Sequence, residues 1–293
     1  MSQSNNNKKL LFTKIYNYLL NSMSKGHGFG KNPVIRKIQN SIQNKLKSDF
    51  AVIQGSKMYL DPEDKFNLSL NGVYGEYETE LMKKYIKKGD IVIDVGANIG
   101  YFTLIYSQLV GKYGKVYAFE PEPKNFAILK KNVEINKYEN IILEEKAVSD
   151  TNEKIKLYVS DHMANHKIYQ VDSSAKNFLE INAINLNDYL ENLGIDKKIN
   201  FIKIDVEGAE FHVFNGIKSL LSKNPNLKIF TEFMYGMIKS CGNEPKDIVE
   251  ILHKNKFKIN YVDSINNTIS PANISKLTTP KNYLGTVNLF CFK

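Results

Sequence analysis

The 293-residue chain has no tryptophan, two cysteines and a single arginine, Arg36. Every other base is a lysine, so the chain lacks the planar forks that grip guanine edges and phosphates bidentately, which disfavours sequence-specific nucleic-acid readout. Cys241 and Cys291 lie far apart, and Cys291 sits in an apolar Phe-Cys-Phe run. A reducing, cytoplasmic interior is therefore expected rather than a disulfide framework. No run of about 18 apolar residues occurs, so no membrane span is expected by length. The first residues carry lysines ahead of an apolar stretch, but Lys14 interrupts it and no small-residue cleavage site follows, which argues against a signal peptide.

Hydrophobic residues make up 42% of the chain, enough for a sizeable core, and the formal net charge is +9. The charge is unevenly spread: residues 1–50 hold nine bases against Asp49 alone, a net +8. Any electrostatic partner is thus expected at this arm. Leu10, Leu11, Ile15, Tyr18 and Leu19, then Val34, Ile35, Ile38, Ile42 and Leu46, recur at helical spacing. The expected organisation is a basic helical N-terminal extension, 1–50, and one α/β domain, 51–293. The extension either packs on the body or makes peripheral contact with an anionic inner-membrane surface.

Within 51–60 a hairpin with a turn at Gln54-Gly55-Ser56 is expected. A helix at 78–88 follows, then apolar strands near 91–95, 115–119, 141–145, 200–205, 228–232, 257–262 and 287–292. Helical patterns occupy 99–110, 122–136, 208–222 and 245–254. This alternation predicts a mostly parallel seven-stranded sheet covered on both faces. Two long connections, 146–198 and 263–286, are expected to contact substrate.

The first of these strands ends in Asp-Val-Gly-Ala-Asn-Ile-Gly, residues 94–100. Gly96 and Gly100 permit a tight turn and close approach to a ligand, and Asn98 tolerates a left-handed conformation. A carboxylate opening the turn argues against a phosphate there. Twenty residues beyond Gly100, Glu120 and Pro121 end the second strand, where an acid commonly receives the hydroxyls of a ribose. S-adenosylmethionine satisfies both signals: it has a ribose, no phosphate, and a positive charge that suits Asp94.

The segments GDIVIDVGANIGYFTL (89–104), VYAFEPEPKNFAILKKNVEIN (116–136), KAVSD (146–150) and FIKIDVEGAEFHVFNG (201–216) resemble the FkbM-type methyltransferases. The resemblance runs over roughly 74–262 and leaves out the basic arm. It implies the Rossmann-like class I methyltransferase fold and S-adenosylmethionine-dependent methylation, typically of a hydroxyl on a sugar, glycolipid or other small acceptor. It also implies an adenine slot beside Ala147 and Val148, taken as the end of the third strand. Where that family often has Thr-Leu-Asp, this chain has Asn185-Leu186-Asn187, which leaves the role of that acid open, with Asp188 adjacent.

Oxygen methylation needs a group that takes the hydroxyl proton. Asp205, Glu207, Glu210 and Glu232 are the candidates, since all follow strands at the same rim. Asp205 also counts as a cofactor contact, and Tyr77 and Glu78 are placed over the methionine part. His162 and His166 have i, i+4 spacing in a segment with little helical pattern, so no metal ligands are assigned. His212 is expected to face solvent. An RNA or tRNA methyltransferase using the arm, a non-catalytic cofactor-binding protein, and NAD-dependent oxidoreduction are the competing readings.

Overall fold

The computed structural model describes residues 50–62, 64, 66, 68–158, 178–279 and 285–293. The basic arm and His162 and His166 lie outside them. Two compact units divide between Tyr74 and Gly75. In the first, β1 (Phe50–Ile53) and β2 (Ser56–Tyr59) pair antiparallel with Ile53 opposite Ser56. Gln54 (φ 49°) and Gly55 (φ 87°) form the turn, the left-handed pair that a two-residue hairpin connection requires. A short helix, α1 (Leu68–Asn71), begins where the Leu68 N–H donates to Asp64 Oδ1 at 2.8 Å.

The second unit opens with α2 (Glu76–Tyr85), which stops before the extended Ile86 rather than running to 88. It then alternates as expected: β3 (Ile91–Val95), α3 (Tyr101–Val110), β4 (Lys115–Phe119), α4 (Pro123–Asn136) and β5 (Ile141–Glu144). The long connection contributes β6 (Ala147–Ser149), β7 (Lys154–Tyr158) and β8 (Phe178–Asn185), followed by α5 (Leu186–Asn192). Next come β9 (Phe201–Ile204), α6 (Glu210–Gly216), α7 (Lys218–Lys223) and β10 (Lys228–Met234). The chain closes with α8 (Tyr235–Ser240), α9 (Pro245–Lys254), β11 (Lys258–Asp263), β12 (Thr268–Pro271), α10 (Ile274–Thr278) and β13 (Thr286–Phe292).

The main sheet runs β12-β11-β13-β10-β9-β3-β4-β5. The five strands from β10 to β5 are parallel, while β13 runs antiparallel to both β10 and β11. The expected seven strands are all present, and β12 adds an eighth at the edge. One helix expected over 208–222 is two, α6 and α7. A Cβ on Gly216 would lie 2.3 Å from the Ser149 carbonyl, so the backbone is pressed against β6 where the helix breaks.

Alternation along the central strands sets what each face buries. Ile93 and Val95 of β3, with Ile202 and Ile204 of β9, point into a core shared with Leu186 and Leu190, Val213 and Phe214, and Ile248 and Leu252 from the covering helices. The intervening positions face α3: Phe201 meets the Tyr106 ring at 6.1 Å. Asp94 and Lys203 occupy that second face at directly paired positions. Two charges inside the sheet are therefore neighbours by register, and they lie where strand order reverses between β3 and β9. In open parallel sheets ligands bind beyond the carboxyl ends of the strands at such a point.

Candidate active site

The turn after β3 is held without freedom for larger residues. Gly96 has φ +79°, and a Cβ there would sit 1.8 Å from the Asp205 carbonyl oxygen. Both the Gly96 and Ala97 N–H groups donate to the Phe119 carbonyl at 3.0 Å, tying the turn to the end of β4. Asn98 is left-handed (φ 51°), and its N–H donates to Glu120 Oε2 at 2.8 Å. Gly100 (φ +96°) leads into α3 with Leu129 so close that a Cβ would meet its Cδ1 at 2.6 Å.

Glu120 is 5% exposed and also accepts from the Glu122 N–H at 3.0 Å. Burial pushes its carboxyl up to about 7, against the lowering effect of these bonds. Pro121 follows it, partly exposed.

Asp94 sits at the end of β3, behind the turn. It is fully buried, with Oδ2 accepting from the Thr103 hydroxyl at 2.6 Å and Oδ1 facing Lys203 Nζ at 3.8 Å. Burial raises its pKa, partly offset by Lys203. Lys203 faces its charge from the neighbouring strand, because the side chain of each alternates onto the α3 face.

Lys203 is the residue that sequence reasoning missed. It is 4% exposed, stands 3.1 Å from Asp205 Oδ2 and also approaches the Gly96 carbonyl at 3.4 Å, so it links the turn, Asp94 and Asp205. The available signal was a lysine inside the apolar run Phe-Ile-Lys-Ile of a central strand, where a charge has to find partners.

Beyond β9, Asp205 keeps a side chain 38% exposed. Glu207 adopts φ 53°, uncommon for a residue with a Cβ, and precedes Gly208 (φ 101°). Asp205, Glu207 and Glu232 of β10 form a carboxylate cluster in which one oxygen from each lies within 4.8 Å of the others. Glu232 is pushed up to about 9, first by burial and then by the charges of Asp205, Glu207 and Glu210. Glu210 is fully buried at the start of α6, with Oε1 accepting from the Val206 and Gly208 N–H groups at 3.3 and 3.1 Å. Burial raises it to about 7. The structure thus brings Asp205, Glu207, Glu210 and Glu232 together at one rim.

Glu78 is buried on α2, where Oε1 accepts from Ser264 Oγ and from Asn288 Nδ2 at 3.2 Å. Asn288 pairs across β13 with Glu232, so Glu78 joins the β10 side of the rim. Tyr77 beside it is partly exposed.

Ala147 and Val148 depart from expectation: they belong to β6 of a separate sheet, ordered β6-β8-β7, and not to the end of β5. Each is 2% exposed and packed in a hydrophobic cluster. His212 does not simply face solvent. Its Nδ1 bonds Asp150 at 3.0 Å and its Nε2 bonds Asn243 at 3.2 Å, fastening α6 to the segment after β6. At the family departure, Asn185 caps α5, accepting from Asn187 N at 3.0 Å and Asp188 N at 3.3 Å. Both cysteines are buried, and neither is in a disulfide.

A rim lined by Glu120, Asp205, Glu207 and Glu232, with Lys203 already engaged, suits a cationic ligand without phosphates and repels a pyrophosphate. The fold and this rim define a class I methyltransferase. Residues 94–259 match the model of the methyltransferase FkbM domain, and the chain belongs to that family. Its cofactor is S-adenosylmethionine. Among similar proteins, methyltransferase 1 of Beauveria bassiana is 26% identical over 144 residues, 43% of this chain and 57% of its own length. A probable cobalt-precorrin-6B C(15)-methyltransferase (decarboxylating) of Saccharolobus solfataricus is 30% identical over 162 residues, 50% of this chain and 79% of its own. The hexuronic acid methyltransferase AglP of Haloferax volcanii is 29% identical over 178 residues, 60% of this chain and 66% of its own. The chain therefore spans less than two thirds of the first of these proteins. Among the described residues no helix is long and apolar enough to cross a membrane.

Proposed function

We propose that this chain methylates a hydroxyl oxygen on a sugar, glycolipid or other small acceptor. The observation that carries the reading is the carboxylate cluster of Asp205, Glu207 and Glu232 at the strand ends beside the glycine turn. The name of the Haloferax relative, a hexuronic acid methyltransferase, makes sugar hydroxyls the first acceptors to try.

S-adenosylmethionine, when bound, supplies a methyl group activated on a sulfonium. The turn Gly96–Gly100 and Glu120 are the residues that would hold its nucleoside. Each Glu120 oxygen already accepts backbone N–H groups, yet a carboxylate oxygen has a second lone pair for a ribose hydroxyl. Glu78 and Asp205 lie on the side where the methionine part is expected.

The rest of the chemistry falls to the chain's own acids. An alcohol is a poor nucleophile until its proton leaves, so a carboxylate within hydrogen-bond reach must accept it as the oxygen attacks. Asp205, the partly exposed acid, is the proposed acceptor of that proton, with Glu207 and Glu232 orienting the hydroxyl. Lys203 holds Asp205 in place at 3.1 Å. Much of the acceleration comes from fixing the acceptor in line with the methyl group.

The test is transfer of labelled methyl to a panel of uronic acids, other sugars, glycolipids and simple alcohols. Label on a sugar oxygen, lost in Asp205→Asn, is the expected result. Label on RNA or on a carbon atom, with every hydroxyl compound left unlabelled, would overturn the reading.

A further inference from the structure

We propose that Asp205, Glu207 and Glu232 bind a hard divalent cation such as Mg2+ or Mn2+ at the β9–β10 rim; its use in turnover rests on the hydroxyl-methylation reading above. One oxygen from each acid lies within 4.8 Å of the others. Ligand oxygens about 2.1–2.5 Å from a common ion are separated by at most roughly 4–5 Å, so the three can share one. An all-oxygen donor set selects Mg2+, Mn2+ or Ca2+ over softer metals, with water completing the coordination.

The surroundings point the same way independently of the cluster. Glu210 is 0% exposed, and its Oε1 is held by the two amides that flank Glu207, while Oε2 has no hydrogen-bond partner. Those amides belong to the loop that carries Asp205 and Glu207, which places Glu210 against the cluster. Glu232 Oε2 is likewise buried without a partner. A buried carboxylate oxygen without a donor is costly and uncommon. An ion at the cluster would satisfy Glu232 as a ligand and give Glu210 a metal-bound water as donor, the arrangement in which outer carboxylates orient inner ones.

The lysine at the rim serves two acids at once. Lys203 divides its ammonium between Asp205 and Asp94, which pairs opposite it in the sheet. Four carboxylates thus crowd a rim whose lysine is already shared. A hydroxyl bound to a cation there would lose its proton more readily, since a metal ion acidifies oxygen ligands.

The experiment is a titration of Mn2+ into the chelator-treated full chain, followed by loss of the free-ion paramagnetic resonance signal and by melting temperature. Wild type is expected to bind one ion per chain saturably and to melt at higher temperature as Mn2+ is added. Glu232→Gln and Glu207→Gln should bind roughly tenfold or more weakly, because affinity follows the number of charged ligands. Glu250→Gln, exposed on α9, should bind as wild type does. Glu207 is partly exposed in a loop, so its variant keeps the comparison available if Glu232→Gln does not fold. Absence of saturable binding below about 1 mM, or equal binding by all variants, would overturn the site. Calorimetry with S-adenosylmethionine in the presence of chelator separates the two proposals. Cofactor heat without Mn2+ binding removes the cation and leaves methyl transfer standing; Mn2+ binding without cofactor heat does the reverse.

Discussion

The two halves of the strand-end rim carry the same kind of side chain and treat it differently. Around β3 and β4, Glu120 accepts from the Asn98 and Glu122 amides, and Asp94 accepts from Thr103 and faces Lys203. Around β9 and β10, Asp205, Glu207 and Glu232 crowd together, and Glu210 and Glu232, like Asp94, each keep a buried oxygen without a hydrogen-bond donor. The first half uses its acids to fix a turn. The second crowds like-charged acids against one another, which costs stability unless a ligand answers them, and sites that sacrifice stability in this way are commonly functional.

The sharpest way to break the contrast is at its shared member. Lys203→Met strands Asp94 and Asp205 without their counter-charge, and loss of one partner of a buried pair costs about 3–5 kcal/mol. Urea unfolding should show that loss, and a change under about 1 kcal/mol would mean the pair is not what holds the two halves together. Gly96→Ala should cost about 3 kcal/mol or more, since the added carbon would collide with the Asp205 carbonyl in a left-handed backbone. A variant of unchanged stability would refute the close approach.

Glu120 gives the contrast a pH dependence. Its folded carboxyl titrates near 7 and its ordinary value is 4.5, so the folded chain holds this proton more tightly than the unfolded chain. Stability from this group is fully present below about pH 4.5 and is lost as pH rises to about 7, a change of about 3 kcal/mol across the window. Glu120→Gln should reduce that slope by about one proton in unfolding curves taken between these limits, while Glu210 and Glu232, raised likewise, keep the remainder. The other half should behave oppositely: Glu232→Gln removes a crowded acid and should hold or raise stability near neutral pH, yet lower labelled-methyl transfer about a hundredfold. Equal losses of stability and activity would make Glu232 structural.

Sequence pattern disclosed the frame because the central strands are mostly apolar runs separated by helix-length segments, with a clear 3.6-residue stripe on α9. Turn chemistry disclosed the hairpin through Gln54-Gly55 and the bend at Gly96. Contacts between distant segments were not legible. Ala147 and Val148 read as the tail of β5, yet they pair with Ala183 and Ile184, more than thirty residues on. The spacing of Asp94 from Gly96 was visible in the sequence and its cross-strand neighbour was not. Only the register, Asp94 opposite Lys203, shows where that charge goes. The acids of the rim were found by position after strands, while their mutual crowding needed the fold.

The most direct measurement is calorimetric titration of S-adenosylmethionine, and of NAD, into wild type, Glu120→Gln and Glu232→Gln. A turn-fixing, nucleoside-holding half and an acceptor-facing half predict heat from S-adenosylmethionine and none from NAD. They also predict affinity roughly tenfold or more weaker in Glu120→Gln, and nearly unchanged in Glu232→Gln. Binding of NAD in place of S-adenosylmethionine, or a loss confined to Glu232→Gln, would contradict the account.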